Sequence, residues 1–139
     1  NIFFKDMSRS LNLGSTDEDM ARIYQISDVY ATFASGEGFG FPIIEAEACG
    51  IPVVAVDFTT SHELIIEPEA GLAPKPITTW ASSFNVRHAM PDVDASVDAL
   101  STLYENKLLR KQMGINGRKF IEERCDWDKI VEQWKEIFK

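Results

Sequence analysis

Positive charge is scarce in this chain: 14 lysines and arginines stand against 22 aspartates and glutamates, a formal net charge of −8. That balance argues against nucleic acid as a partner, because affinity for a phosphate backbone comes from clustered Lys and Arg that release counterions. Cysteine is nearly absent as well. Cys49 and Cys125 carry no spacing motif, so a disulfide framework is excluded and a reducing, cytoplasmic setting is expected. No apolar run is long enough to span a membrane, and no signal-peptide pattern opens the chain. No His, Cys or Asp spacing suggests a metal site. Repeats, low-complexity stretches and linkers are missing too, so residues 1–139 are read as a single domain. At 45% hydrophobic residues, that length buries a sizeable core.

What is present alternates. Ile2 to Phe4 reads as a short strand. Ser15 and Glu18 have capping-box spacing before a helix whose face carries Met20, Ile23, Tyr24 and Ile26. Asp28 to Phe33 and Pro52 to Asp57 read as buried strands, the second apolar almost throughout. A helix from Phe41 to Cys49 lies between them, stopped by Gly50. Thr60 and Glu63 suggest a further capping box for a short helix through Ile66, and Gly71 to Pro74 an edge strand.

The stretch from Thr78 to Pro91 has no clean period and is expected to be an irregular surface connection. Helical spacing returns around Val97 to Tyr104 and Leu108 to Ile115, and Asp126 caps a last helix carrying Ile130, Val131, Trp134, Ile137 and Phe138. Gly114 and Gly117 weaken the second of these by about 1 kcal/mol each relative to alanine. Alternating strands and helices imply an α/β fold with a parallel sheet flanked by helices, whose ligands lie beyond the carboxyl ends of the strands.

One segment carries most of the chemical information: Ser35-Gly36-Glu37-Gly38-Phe39-Gly40-Phe41-Pro42-Ile43-Ile44-Glu45, continuing as Ala46-Glu47-Ala48-Cys49-Gly50-Ile51-Pro52-Val53-Val54. Glycines ahead of a helix let the backbone approach a ligand, and the helix start offers free N–H donors and a positive dipole end. A phosphate is the expected guest. Glu37 and Glu45 flank that anion site, an arrangement suited to a phosphate bearing hydroxyl-rich groups on both sides. Lys5, Arg9 and Arg22 are the basic residues that precede the segment, and none is adjacent to it in sequence.

This segment resembles the donor-binding motif of the retaining GT-B glycosyltransferases of family four, the glycosyl transferases group 1. In these, a glutamate, seven residues and a second glutamate are followed by Ala-x-Ala-Cys-Gly-x-Pro-Val-Val. The resemblance implies a Rossmann-like domain, the donor half of a GT-B fold, N-terminally truncated, with the acceptor half supplied by a missing domain or a separate chain. It implies a nucleotide-sugar as donor substrate, no cofactor, no metal, and transfer with retention, turnover by the isolated chain being doubtful. Carried over position by position, Glu45 would accept from the ribose diol and Glu37 from the hydroxyls of the donor sugar. The backbone N–H groups of Gly38, Phe39, Gly40 and Phe41 would contact sugar and diphosphate, and side chains at 38 and 40 would block the sugar or forbid the turn.

Other residues carry plainer expectations. Glu47 reads as a solvated helix residue, Glu63 as a cap, His62 as a surface histidine, and His88 as lacking a partner. Cys49, Trp127 and Trp134 read as core residues, and Phe39 and Phe41 as either core or pocket wall. Two other functions fit the segment. One is a non-catalytic nucleotide-sugar-binding module or subunit of a split enzyme, which an upstream Rossmann-like domain would discriminate. The other is a hydrolase using Glu37 and Glu45 as an acid–base pair. A helix N-terminus would hold Glu37 ionised, which suits a general acid poorly. Self-association through an unpaired sheet edge or a bare apolar face is a further expectation.

Overall fold

The computed structural model describes residues 16–139. The expected strand at Ile2–Phe4, the cap at Ser15, and Lys5 and Arg9 lie outside the described residues. Helix α1, Asp17–Gln25, starts at Thr16, whose hydroxyl accepts from the Asp19 amide at 3.2 Å. The cap is therefore Thr16 with Asp19, one residue beyond the expected Ser15–Glu18 pairing. The carboxylate of Glu18 pairs with Arg22 at 2.7 Å.

Strand β1, Tyr30–Thr32, leads through the glycine-rich loop into α2, Phe41–Ala48, and then β2, Val53–Ala55. A π-helical turn, His62–Ile66, precedes β3, Gly71–Leu72. The three strands form a parallel sheet in the order β1-β2-β3, with Tyr30 opposite Val53 and Val53 opposite Gly71. β2 is central, and the pleat sends its side chains alternately to two cores. Val53 and Ala55 join Tyr24, Ile43, Ala46, Leu64 and Ile65 on one face. Val54 joins Ala99 and Leu103 on the other. Burial on both sides is why β2 reads as an unbroken apolar run.

Two long helices, α3, Val93–Glu105, and α4, Lys107–Arg124, follow, and α5, Trp127–Ile137, ends the chain. Asp92, Asn106 and Asp126 cap them, each accepting a backbone N–H through its side chain. The glycines of α4 have a purpose that propensity hides. A Cβ on Gly114 would sit 2.1 Å from the Gly50 carbonyl oxygen, so α4 crosses the end of α2 at backbone contact. Arg118, one turn on, donates to the Ala48 carbonyl and satisfies the C-terminus of α2.

Three expectations are corrected here. The stretch from Thr78 to Pro91 is not irregular: β4, Pro76–Ala81, and β5, Arg87–Pro91, form an antiparallel hairpin with Trp80 opposite His88. Its turn places Asn85 in the left-handed region (φ 58°), with Ser82 N–H donating to Val86 at 2.8 Å. Thr60 does not cap, since its buried hydroxyl has no hydrogen-bond partner among the described residues. Trp127 and Trp134 are not core anchors: they stand 77% and 54% exposed on a helix with no buried residue. Cys49 is half-buried and packs against the first core, near its expected role. Among the described residues, no helix is long and apolar enough to cross a membrane.

Candidate functional site

The parallel sheet places the loops after β1, β2 and β3 at one edge. The first of these loops carries Glu37, Gly38 and Phe39 and ends at Gly40, which caps α2 from the left-handed region (φ 93°). A Cβ there would meet Leu64 at 3.0 Å and Ile43 at 3.3 Å, so the position demands glycine twice over. Gly38 differs from its expected role. Its φ is not in the left-handed region, and a Cβ would touch nothing within 4 Å. The turn does not need that glycine; the open space in front of it is what a side chain would fill.

Pro42 occupies the first turn of α2, where its missing N–H costs nothing. The first bonds into the helix are Ile43 and Ile44 N–H to the Gly40 carbonyl, at 2.9 and 3.2 Å. The N–H groups of Gly38, Phe39, Gly40 and Phe41 find no acceptor among the described residues. Four consecutive donors without an acceptor among the described residues thus stand at the positive end of a helix, the physical basis of an anion site.

The two carboxylates are held differently. Glu45, on α2, accepts from the hydroxyl of Tyr24 at 2.9 Å. Tyr24 is buried on α1 and meets Tyr30 edge-on, with ring centroids 5.8 Å apart. Burial, then the bond to Glu45, pushes the Tyr24 hydroxyl well above its usual range, so it serves as a donor throughout the working pH range. Glu37 instead is fixed through its backbone, whose N–H donates to Thr59 Oγ1 at 3.2 Å. Its carboxylate has no partner among the described residues.

Phe39 and Phe41 resolve to a pocket wall. Their rings lie 5.1 Å apart and half or more exposed, at one end of a cleft of about 520 Å³ also lined by Leu64, Phe120, Trp127 and Ile130. Glu37 and Glu45 do not line this cleft. The cleft also carries Glu63, Glu67 and Arg124, so it is not apolar throughout.

Glu47 reverses its expectation. It is fully buried, both carboxyl oxygens lack partners among the described residues, and its side chain lies under Gly117 of α4, where an added Cβ would come within 2.9 Å. Burial pushes its pKa up to about 8. Spacing could have raised the suspicion, since Ile43 and Glu47 are one helical turn apart and Ile43 is core.

Sequence reasoning missed the basic groups at this edge. Asp57, just past β2, is nearly buried and accepts from Lys75, just past β3, and pairs with His62 Nδ1 at 3.2 Å. Burial alone would raise the Asp57 pKa; the hydrogen bonds from Lys75 and His62 outweigh it and hold the carboxyl below its ordinary value. Arg87 begins β5; its carbonyl oxygen would lie 3.7 Å from a Cβ on Gly36, while its guanidinium donates to Thr79 Oγ1 at 3.0 Å within the hairpin. Topology, not proximity in sequence, brings the β5 backbone to the loop. Arg22, by contrast, is already engaged by Glu18 and Asp19.

A family model, Glycosyl transferases group 1, matches residues 9–120. A phosphatidyl-myo-inositol mannosyltransferase of Mycobacterium leprae is 30% identical over 130 residues, covering 91% of this chain and 30% of that protein. A GDP-mannose-dependent monoacylated alpha-(1-6)-phosphatidylinositol monomannoside mannosyltransferase of Corynebacterium glutamicum is 29% identical over 127 residues, 86% of this chain and 29% of that protein. An N-acetyl-alpha-D-glucosaminyl L-malate synthase of Bacillus anthracis is 25% identical over 138 residues, 99% of this chain and 32% of that protein. The chain therefore spans about a third or less of the length of these curated relatives. With a glycine-gated helix start between two glutamates and a family match over most of its residues, the chain belongs to the Glycosyl transferases group 1 family.

Proposed function

We propose that residues 1–139 form one nucleotide-sugar-binding unit, the later part of the donor half of a GT-B glycosyltransferase. The unit works with a second, acceptor-binding half to transfer a sugar with retention. The diphosphate lies against the N–H groups of Gly38 to Phe41 at the start of α2. Glu45, steadied by Tyr24, accepts from the ribose diol, and Glu37 accepts from the hydroxyls of the sugar. Dipole and backbone donors then stabilise the departing diphosphate as charge develops on it. The observation that carries this reading is the run of four unpartnered N–H groups set between two carboxylates of unlike support. One relative's dependence on GDP-mannose makes that donor the first to try.

Calorimetric titration of GDP, UDP and ADP, and of their common sugar conjugates, tests it on this chain and on Glu45→Ala. Binding of one nucleotide family, weakened about 10- to 100-fold in the variant, is the expected result, the range for a lost hydrogen bond to a charged group. Equal binding by both proteins would overturn the assignment of Glu45, and no binding by either would overturn a donor pocket complete in these residues.

A further inference from the structure

We infer that His88 is a positioning residue for Glu37, acting through Ser35; the inference rests on the donor-site reading above and extends it to a segment outside the motif. The loop that presents Glu37 has little regular structure of its own, and the carboxylate has no hydrogen-bond or ion-pair partner among the described residues that would aim it. Two anchors set its backbone. One is the Glu37 N–H bond to Thr59 at 3.2 Å. The other comes from the β4–β5 hairpin: Ala89 N–H donates to the Ser35 carbonyl at 2.7 Å, and Ser35 Oγ lies 3.0 Å from His88 Nδ1.

His88 is half-buried, and its ring plane is set by stacking on Trp80 of the facing strand, centroids 5.4 Å apart and 22° from parallel. Stacking alone would be satisfied by any planar side chain at position 88. The added hydrogen bond between Nδ1 and Ser35 Oγ fixes a hydroxyl two residues before Glu37, so the hairpin holds the loop by one side-chain contact beside the Ala89 backbone bond. The same face of the hairpin thus joins two segments 53 residues apart in sequence. Glu45 has separate support from Tyr24 on α1, so loosening the hairpin contact leaves the nucleotide end of the site in place. The effect falls on the sugar end.

That separation defines the test. Affinities for GDP and GDP-mannose, and for UDP and UDP-N-acetylglucosamine, are measured by calorimetry on the full chain and on His88→Ala, Ser35→Ala and His88→Asn. The amide exchange rate of Glu37 is read by NMR on the same samples. Ser35→Ala keeps the Trp80–His88 stack, and asparagine restores a polar group at the position of Nδ1. In His88→Ala and Ser35→Ala, the gain in affinity that the sugar adds to the free nucleotide falls about tenfold, as for one lost hydrogen bond. Nucleotide affinity stays within about twofold, the Glu37 amide exchanges faster, and His88→Asn recovers both. Equal weakening of nucleotide and conjugate, or an unchanged sugar increment, overturns the inference. If the unaltered chain binds neither pair, the donor-site reading falls instead. The positioning role is then decided by the amide alone: unchanged exchange in both alanine variants overturns it, and faster exchange rescued by asparagine upholds it.

Discussion

The hydroxyl of Tyr24 donates to Oε2 of Glu45 across the contact between α1 and α2, joining residues 21 positions apart. A carboxylate that accepts one fixed bond keeps its remaining lone pairs directed, which suits it to a pair of neighbouring hydroxyls. Removing that bond tests whether orientation matters apart from charge. Tyr24→Phe keeps the buried ring and loses the donor. Its nucleotide affinity should fall about 3- to 10-fold, less than for Glu45→Ala. Calorimetry compares the two directly, and an unchanged affinity in Tyr24→Phe would show that Glu45 needs no alignment.

Gly38 and Gly40 stand two residues apart and answer to different demands. Gly40→Ala meets a left-handed backbone and contacts of 3.0 and 3.3 Å, and should lower stability by about 1–3 kcal/mol. Gly38→Ala meets open space and should leave the unfolding midpoint nearly unchanged while blocking nucleotide-sugar binding. Chemical denaturation and ligand titration on the same two variants separate the roles. A large stability loss at 38 would mean that the loop itself needs that glycine.

Glu47 makes stability depend on pH in the direction opposite to most carboxylates. Its pKa rises from 4.5 to about 8 on folding, so between those values the folded chain binds more protons than the unfolded one. Stability therefore falls as pH rises through this window and levels above it. At pH 7 the cost is about 3 kcal/mol, and Glu47→Met removes it while filling the same space. Denaturation midpoints at pH 5, 7 and 9 check this: the difference between Glu47→Met and the unaltered chain should widen from pH 5 to pH 9.

Asp57 supplies the contrary slope. Its folded pKa is depressed, so its contribution is present above the ordinary aspartate range and disappears as pH falls through the folded value. Lys75 and His62 are largely solvent-exposed, which keeps the effect modest. Asp57→Asn should be less stable than the unaltered chain at neutral pH, and the two should converge in strong acid. Thermal melts at pH 7 and pH 2.5 read the difference.

The residues show where sequence reasoning reaches and where it stops. Phe41 to Ala48, Val53 to Ala55 and the cap at Asp126 follow from local chemistry, because a cap acts on its nearest neighbours; the caps at Asp92 and Asn106 act in the same way and were not read. The hairpin was hidden because Trp80, His88 and Met90 share one partly exposed face with Thr78, leaving no apolar alternation to see. Its signal was the turn: Asn85 between β-branched and aromatic runs. Trp134 misled in the other direction. The regular apolar spacing of α5 records a helix with one apolar side, and spacing alone does not supply the surface that would cover it.

Tyr24 and His88 were beyond sequence reasoning because each reaches the glycine-rich segment from another element, and Lys75 meets Asp57 in the same way. Glu37 and Glu45 could be proposed from the sequence because the loop and helix that carry them are continuous in the chain.

The clasp between Ser35 and His88 also sets a clock on biosynthesis. The glycine-rich loop leaves the ribosome well before the hairpin that holds it, 53 residues earlier. At an elongation rate of about 5–20 residues per second, the nascent loop waits about 3–10 s for its clasp. During that interval β1, α2 and β2 are already free to pack. Within the glycine-rich segment, the part translated first is the last to be fixed.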